Sequence, residues 1–368
     1  MSELDRLVGW YELKAGKHVL LTYASDGALR LVGLDDEVFS HRFVPVSQSS
    51  FRWIRGRDEP ETNVEFISGD DNGQVHFKWQ DEAQGTCVAT KSSTYGYSVR
   101  QLQYRNGEVS LSGSMFIPRS GGPFPAVVMI HGSGTSVRNN LWYMRIAHSL
   151  AMGNIAVLLP DKRGSGKSKG DWRTASFVDL AHDARAAVET VCRESEVDPC
   201  HVGLWGLSQG GWIAPLAANL TPQAAFVISI SGPAVPPNQQ LRYEERHRLA
   251  RTGLPRFLCQ AILPIAVWVV KQRLPEWWRM NGEFDSLPFW KSLTMPALMV
   301  YGSDDVLTPV EESVRKLAEV KQANPKSDFT IQVFEGSGHG LLEPGSNGIR
   351  KDFLNLQIAW VQRRVSEK

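Results

Sequence analysis

Beyond about residue 96 the chain alternates short apolar runs with helical patterns, and that alternation constrains its fold more than any other feature. The runs are Ala126–Ile130, Ile155–Leu159, His201–Trp205, Ala225–Ile230, Ala297–Tyr301 and Phe329–Phe334. Helical periodicity fills Trp142–Ala151, Ser176–Cys192, Gly210–Asn219, Val310–Val320 and Lys351–Val365. Strands this apolar belong to a sheet covered on both faces. Alternation with helices predicts a largely parallel sheet with right-handed crossovers, an α/β architecture. Ahead of the first run, Ser98–Arg105 and Glu108–Phe116 flank Asn106-Gly107, a two-residue hairpin signal.

Two segments depart from this pattern. Residues 1–95 read as a small all-β domain, a barrel or sandwich of six or seven strands. The runs are His18–Tyr23, Ala28–Val32, Phe51–Arg55, Asn63–Ile67, Gln74–Trp79 and Thr86–Lys91. Turn signals separate them at Asp26-Gly27, Gly33, Gly56 and Asp70-Asp71-Asn72-Gly73. Residues 233–290 contain no good strand, are helical in character, and read as a cap over the sheet's C-terminal edge, where open α/β sheets bind ligands. The remainder of 96–368 is the expected catalytic domain.

With 368 residues, the length prior is about two domains. Forty basic side chains against 39 acidic ones give a net charge of +1. No basic footprint for nucleic acid and no polybasic membrane anchor follow from that balance. Met1–Arg6 lacks the basic-then-apolar order of a signal peptide. The most apolar stretch, Phe257–Val270, is too short for a bilayer needing about 20 residues. A cytoplasmic protein without a membrane span is expected, with homo-oligomerisation left open. Cys87, Cys192, Cys200 and Cys259 show no metal-ligand or redox spacing and read as buried free thiols.

Gly206-Leu207-Ser208-Gln209-Gly210 matches G-x-S-x-G between an apolar strand and a helix. That context makes Ser208 a nucleophile on a sharp strand-to-helix turn. A serine hydroxyl needs a base. His339, in Gly336-Ser337-Gly338-His339-Gly340 after the last strand, is the best placed histidine. The base needs an orienting carboxylate. Asp304 and Asp305 compete for that role after Ala297–Tyr301. The order Ser, Asp, His is that of α/β-hydrolases.

On these motifs the chain from about residue 96 resembles the α/β-hydrolase superfamily. In that family the acid commonly stands in G-x-x-D ahead of a Val/Thr-Pro element. The resemblance therefore assigns it to Asp305 in Gly302-Ser303-Asp304-Asp305, and leaves Asp304 as a loop or capping carboxylate. His131-Gly132-Ser133-Gly134 is similar to the H-G-x-x loop of esterases. It implies an oxyanion hole from backbone N–H groups of Gln209 and of Ser133, with Gly134 next in line, and a structural role for His131. Asp161-Lys162-Arg163-Gly164-Ser165-Gly166-Lys167-Ser168 contains Gly-Lys-Ser. It fails as a phosphate loop because Asp161 stands where the first glycine belongs. The resemblance makes it the D-x-R-G-x-G-x-S stretch that shapes one side of the site.

Together these elements look most like carboxylesterases of the dienelactone-hydrolase and peptidase-like branch. The resemblance implies cleavage of a small-molecule acyl ester through an acyl-enzyme, with no metal or organic cofactor. Peptidase, thioesterase or acyltransferase chemistry on the same triad are the alternatives, and a non-catalytic binding protein on the same fold is a further one. The β region faintly resembles the lipocalin-like domains appended to some serine hydrolases. Trp268, Trp277, Trp278 and Trp290 fall in or beside the cap, as pocket lining or as packing.

Overall fold

A computed structural model describes residues 3–14, 17–23, 28–34, 38–47, 49–54, 62–68, 75–81, 85–324 and 326–366. The turn signals at Asp26-Gly27, Gly56 and Asp70-Asp71-Asn72-Gly73 lie outside the described residues.

After a short helix α1 (Glu3–Leu7), eight strands close into a barrel. They are β1 (Gly9–Lys14), β2 (Lys17–Tyr23), β3 (Leu29–Gly33), β4 (Phe39–Pro45), β5 (Ser50–Ile54), β6 (Thr62–Ser68), β7 (Val75–Asp81) and β8 (Gly85–Lys91). Each pairs antiparallel with the next, and β1 returns to β8 through Tyr11↔Lys91. Closure removes the exposed edges of an open sheet. The sequence signals for β1 and β4 are weak, so the barrel has more strands than the six or seven expected. Aromatic rings fill the interior. Phe43 and Phe77 meet at 5.7 Å, Phe51 and Phe66 at 5.1 Å, and Tyr11 and Phe77 at 4.9 Å. Because side chains alternate along a strand, Trp10 points the opposite way from Tyr11. Its ring lies against Tyr95, Tyr97 and His148, outside the barrel.

The second sheet also has eight strands: β9 (Tyr97–Asn106), β10 (Val109–Pro118), β11 (Phe124–Ile130), β12 (Ala156–Pro160), β13 (Val197–Leu207), β14 (Ala224–Ile230), β15 (Ala297–Gly302) and β16 (Phe329–Phe334). Their spatial order is β16-β15-β14-β13-β11-β12-β10-β9. From β12 to β16 neighbours are parallel, while β9 and β10 form an antiparallel hairpin. The hairpin turns at Gly107-Glu108, one residue later than its sequence signal, with Asn106 paired to Val109. Gly107 supplies the positive φ of +54°. Asn106 is held in the strand by an amide hydrogen bond to Asp183 Oδ1 at 2.8 Å.

Helices α2 (Leu141–Met152) and α10 (Lys351–Ser366) cover one face. Helices α3 (Phe177–Val191), α4 (Gln209–Leu220) and α9 (Val310–Ala323) cover the other. Ser176 and Asp179 close a capping box on α3, which fixes its start at Phe177, one residue after the expected Ser176. Between β14 and β15 the chain inserts α5 (Pro237–Ala250), α6 (Arg256–Gln272), α7 (Pro275–Asn281) and α8 (Leu287–Ser292). Among the described residues no single helix is long and apolar enough to cross a membrane.

Two expectations need correction. The four cysteines are free but not buried: Cys87, Cys192 and Cys259 are half-buried and Cys200 is exposed. Cys87 and Cys192 pack at the margin of the two apolar cores rather than within them. Trp268 is neither among the residues lining the cavity over Ser208 nor part of either apolar core. It stands 60% exposed on α6.

Candidate active site

The parallel strands all end at one edge of the sheet. The loops leaving β11, β12, β13, β15 and β16 carry His131, Asp161, Ser208, Asp305 and His339 in turn. Ser208 sits between β13 and α4 with φ 53° and ψ −113°, a strained backbone for a side chain with a Cβ. The flanking glycines make that turn sterically feasible. A Cβ on Gly206 would lie 2.2 Å from Gly210 O, and one on Gly210 would lie 2.4 Å from Ile130 O. The Ser208 N–H donates to Ile230 O at 2.8 Å, which locks the turn to the neighbouring strand.

The residue after that acceptor also holds the histidine loop. Ser231 Oγ donates to His339 O at 2.9 Å. His339 Nδ1 meets Asp305 Oδ2 at 2.8 Å. The Asp305 side chain is fully buried, whereas that of His339 is 20% exposed. The other oxygen, Asp305 Oδ1, accepts the N–H groups of Leu307 at 2.8 Å and Thr308 at 2.9 Å. Asp304 is turned elsewhere: its Oδ1 accepts from Ser303 Oγ at 2.7 Å. Of the two competing aspartates, only Asp305 touches the histidine. Helix α5 braces this loop, because Tyr243 Oη donates to Asp305 O at 3.1 Å and Gln240 Nε2 to Leu307 O at 3.0 Å.

The loop after β11 lies against the serine, where a Cβ on Gly132 would come within 3.5 Å of Ser208 Cβ. Gly132 N–H is already taken by the Tyr143 hydroxyl at 2.8 Å. The next amides in the loop are those of Ser133 and Gly134. Gln209 is the first residue of α4, where N–H groups have no partner within the helix. His131 is buried and bonded on both ring nitrogens, to Pro160 O at 2.6 Å and Ser136 Oγ at 2.9 Å. Burial pushes its pKa down to about 4.

The Asp161 loop is tied by a buried ion pair, with Arg138 Nη2 at 2.5 Å from Asp161 Oδ2. Its second residue does something that sequence reasoning missed. Lys162 Nζ reaches across to Gly132 O at 2.8 Å and to Gln209 Oε1 at 2.5 Å. Nothing in the local sequence signals this, because both partners come from other strands' loops.

A cavity of about 710 Å³ opens over Ser208. Ser133, Gly134 and Gln209 contribute to its floor, and α6 and α7 to its wall through Ile262, Val269 and Trp277. Trp278, Trp172 and Trp212 also line it, whereas Trp290 packs against Phe329 in the core. Glu244 is half-buried at this cavity, and burial followed by the neighbouring Glu245 raises its carboxyl pKa. Among the described residues no cluster of three or more His, Cys, Asp or Glu could hold a metal ion.

Residues 127–346 match the model of the Alpha/beta hydrolase family. Esterase EstD of Thermotoga maritima is 27% identical over 243 residues, covering 62% of this chain and 57% of that protein. The chain thus spans little more than half of that relative's length. A polyketide transferase of Stachybotrys chlorohalonatus is 27% identical over 279 residues, covering 66% of this chain and 89% of that one. The solved acylaminoacyl peptidase of Pyrococcus horikoshii superposes with a TM-score of 0.61 at 15% identity, over 98% of this chain and 56% of that one. That likeness concerns the fold alone. With the family model matching more than half of its length, the chain belongs to the alpha/beta hydrolase family.

Proposed function

We propose that this chain is a serine hydrolase that cleaves carboxylic esters through an acyl-enzyme on Ser208. The observation that carries the reading is that a strained Ser208 and a His339 held by buried Asp305 share one sheet edge, joined through Ile230 and Ser231. In this reading Ser208 Oγ attacks the acyl carbonyl while His339 Nε2 takes its proton. Asp305 fixes the tautomer with the proton on Nδ1. Backbone amides of Gln209 and Ser133, with Gly134 beside them, hold the oxyanion. His339 then protonates the departing alkoxide, and water, deprotonated by His339, releases the acid.

The apolar wall of the cavity supports a neutral ester with a sizeable apolar acyl group, and α5–α8 act as a cap over it. Residues 1–95 would be an accessory β domain and 96–368 the catalytic one. Acyl transfer to an alcohol is a second reading, favoured by the likeness to the polyketide transferase. Labelling with a fluorophosphonate probe tests the shared step. Folded wild-type protein should label and hydrolyse p-nitrophenyl esters, and Ser208→Ala should do neither. Equal labelling of the two proteins would sink the reading.

A further inference from the structure

A lysine buried behind a nucleophile calls for an explanation, because an ammonium gains nothing from burial unless its partners need it. Lys162 is 7% exposed. Its Nζ donates to the Gly132 carbonyl, whose chain continues directly into the Ser133 amide. It also donates to the side chain of Gln209, the residue after Ser208. The Trp172 ring lies 5.2 Å from the same ammonium and closes its third side. The two segments it joins supply the two halves of the oxyanion site proposed above, and among the described residues no other side-chain hydrogen bond links them.

We propose that Lys162 is a positioning residue for the oxyanion site, tying the Gly132–Ser133 loop to Gln209 and setting a positive charge behind both. The proposal rests on the serine-hydrolase reading for its kinetic consequences but not for its geometry. As the acyl oxygen gains negative charge, a cation held behind the donating amides stabilises it without reorganising. Two contacts also fix the separation of donors that arrive from β11 and from β13 beyond the last paired residues, Ile130 and Gly206.

The protonation state of this lysine is poised to matter. Burial brings its pKa down to about 7. The charged groups around it are largely spoken for. On its own loop, Asp161 is paired with Arg138, and Arg163 with Asp183 of α3 at 2.6 Å. From the β11 loop, His131 faces it and is held neutral above pH of about 4, in part by this ammonium. From α4 comes only the neutral Gln209 amide. Raising the pH through about 7 therefore removes the charge behind the oxyanion site while leaving a neutral amine that still donates.

The test compares wild type with Lys162→Met and Lys162→Arg. Wild-type kcat/KM on a p-nitrophenyl ester should fall to a lower plateau above pH of about 7. Lys162→Met should lose about 10²-fold in kcat with little change in KM, and its alkaline step should vanish. Lys162→Arg should restore part of kcat and also lack the step, since a guanidinium does not titrate there. Backbone amide shifts of Ser133 and Gln209, followed by NMR across the same range, read the coupling without any turnover. In wild type they should titrate together with Lys162, and in Lys162→Met they should not. A folded Lys162→Met that keeps wild-type kcat and the alkaline step would overturn the proposal. So would Ser133 and Gln209 amides that ignore the lysine's titration. Failure of the hydrolase reading would show separately, as a wild type that turns over no substrate while the NMR coupling stands.

Discussion

Replacing Asp305 by asparagine separates the catalytic role proposed for this carboxylate from its part in folding. The Asp305 carboxylate accepts three hydrogen bonds: two on Oδ1 from Leu307 and Thr308, one on Oδ2 from His339 Nδ1. In Asp305→Asn the amide oxygen can keep the first pair. The NH₂ group then faces His339 Nδ1 and can only donate to it. The imidazole proton is forced onto Nε2, the atom that accepts from Ser208 in the proposed mechanism. Losing the correct tautomer typically costs about 10⁴ in kcat, or about 5.5 kcal/mol of transition-state stabilisation. Stability should change by less than about 1 kcal/mol, since both N–H groups stay paired. Asp305→Ala should lose comparable activity but also orphan the buried Thr308 N–H, at about 1–3 kcal/mol, and the half-buried Leu307 N–H at less. Steady-state hydrolysis of a p-nitrophenyl ester and urea unfolding measure the two effects. If Asp305→Asn retains kcat within tenfold of wild type while Asp304→Asn loses it, the assignment of the acid is wrong.

Two further consequences concern stability. Gly206→Ala places a Cβ 2.2 Å from the Gly210 carbonyl, a backbone atom that cannot swing aside. Urea unfolding should show a loss of about 1–3 kcal/mol, and fluorophosphonate labelling should slow as the elbow shifts; an unchanged midpoint would contradict the packing. His131, held neutral with a pKa near 4 against 6.5 when free, binds its proton more readily in the unfolded chain. Stability is therefore lost as pH falls from about 6.5 towards 4, by about 3 kcal/mol in full. Wild type should lose more than His131→Asn between pH 7.5 and 4.5, and parallel losses would refute this origin.

The catalytic sheet was legible because its parallel strands are apolar on both faces, so the run Ala126–Ile130 needs no alternation to be read. Helix bounds followed for a similar reason, through caps such as Ser176. The barrel was less legible. In β4, Phe39, Ser40, His41 and Arg42 are half-buried or exposed and only Phe43 is buried, which leaves too little pattern to mark a strand. The competition between Asp304 and Asp305 turned on adjacent residues pointing opposite ways, and spacing alone could not settle it. The role of Lys162 was illegible for a different reason. Its partners lie 30 and 47 residues away in sequence, and a motif that describes one loop carries no record of what crosses to the next.

The contact made by Trp10 has a consequence for how the molecule comes apart. Its ring leaves the barrel wall and wedges beside Tyr97 at the start of β9 and His148 on α2. Gly96 has no room there for even a methyl group, since a Cβ would lie 2.5 Å from the indole Nε1. Barrel and sheet residues consequently form one continuous apolar core on that face, from Phe43 through Trp10 to Trp205. The barrel and the hydrolase sheet are two architectures that share one interior, that of the α2 and α10 face. Heat should then melt them in one shared transition, and proteases should find no hinge between them that opens before the whole does.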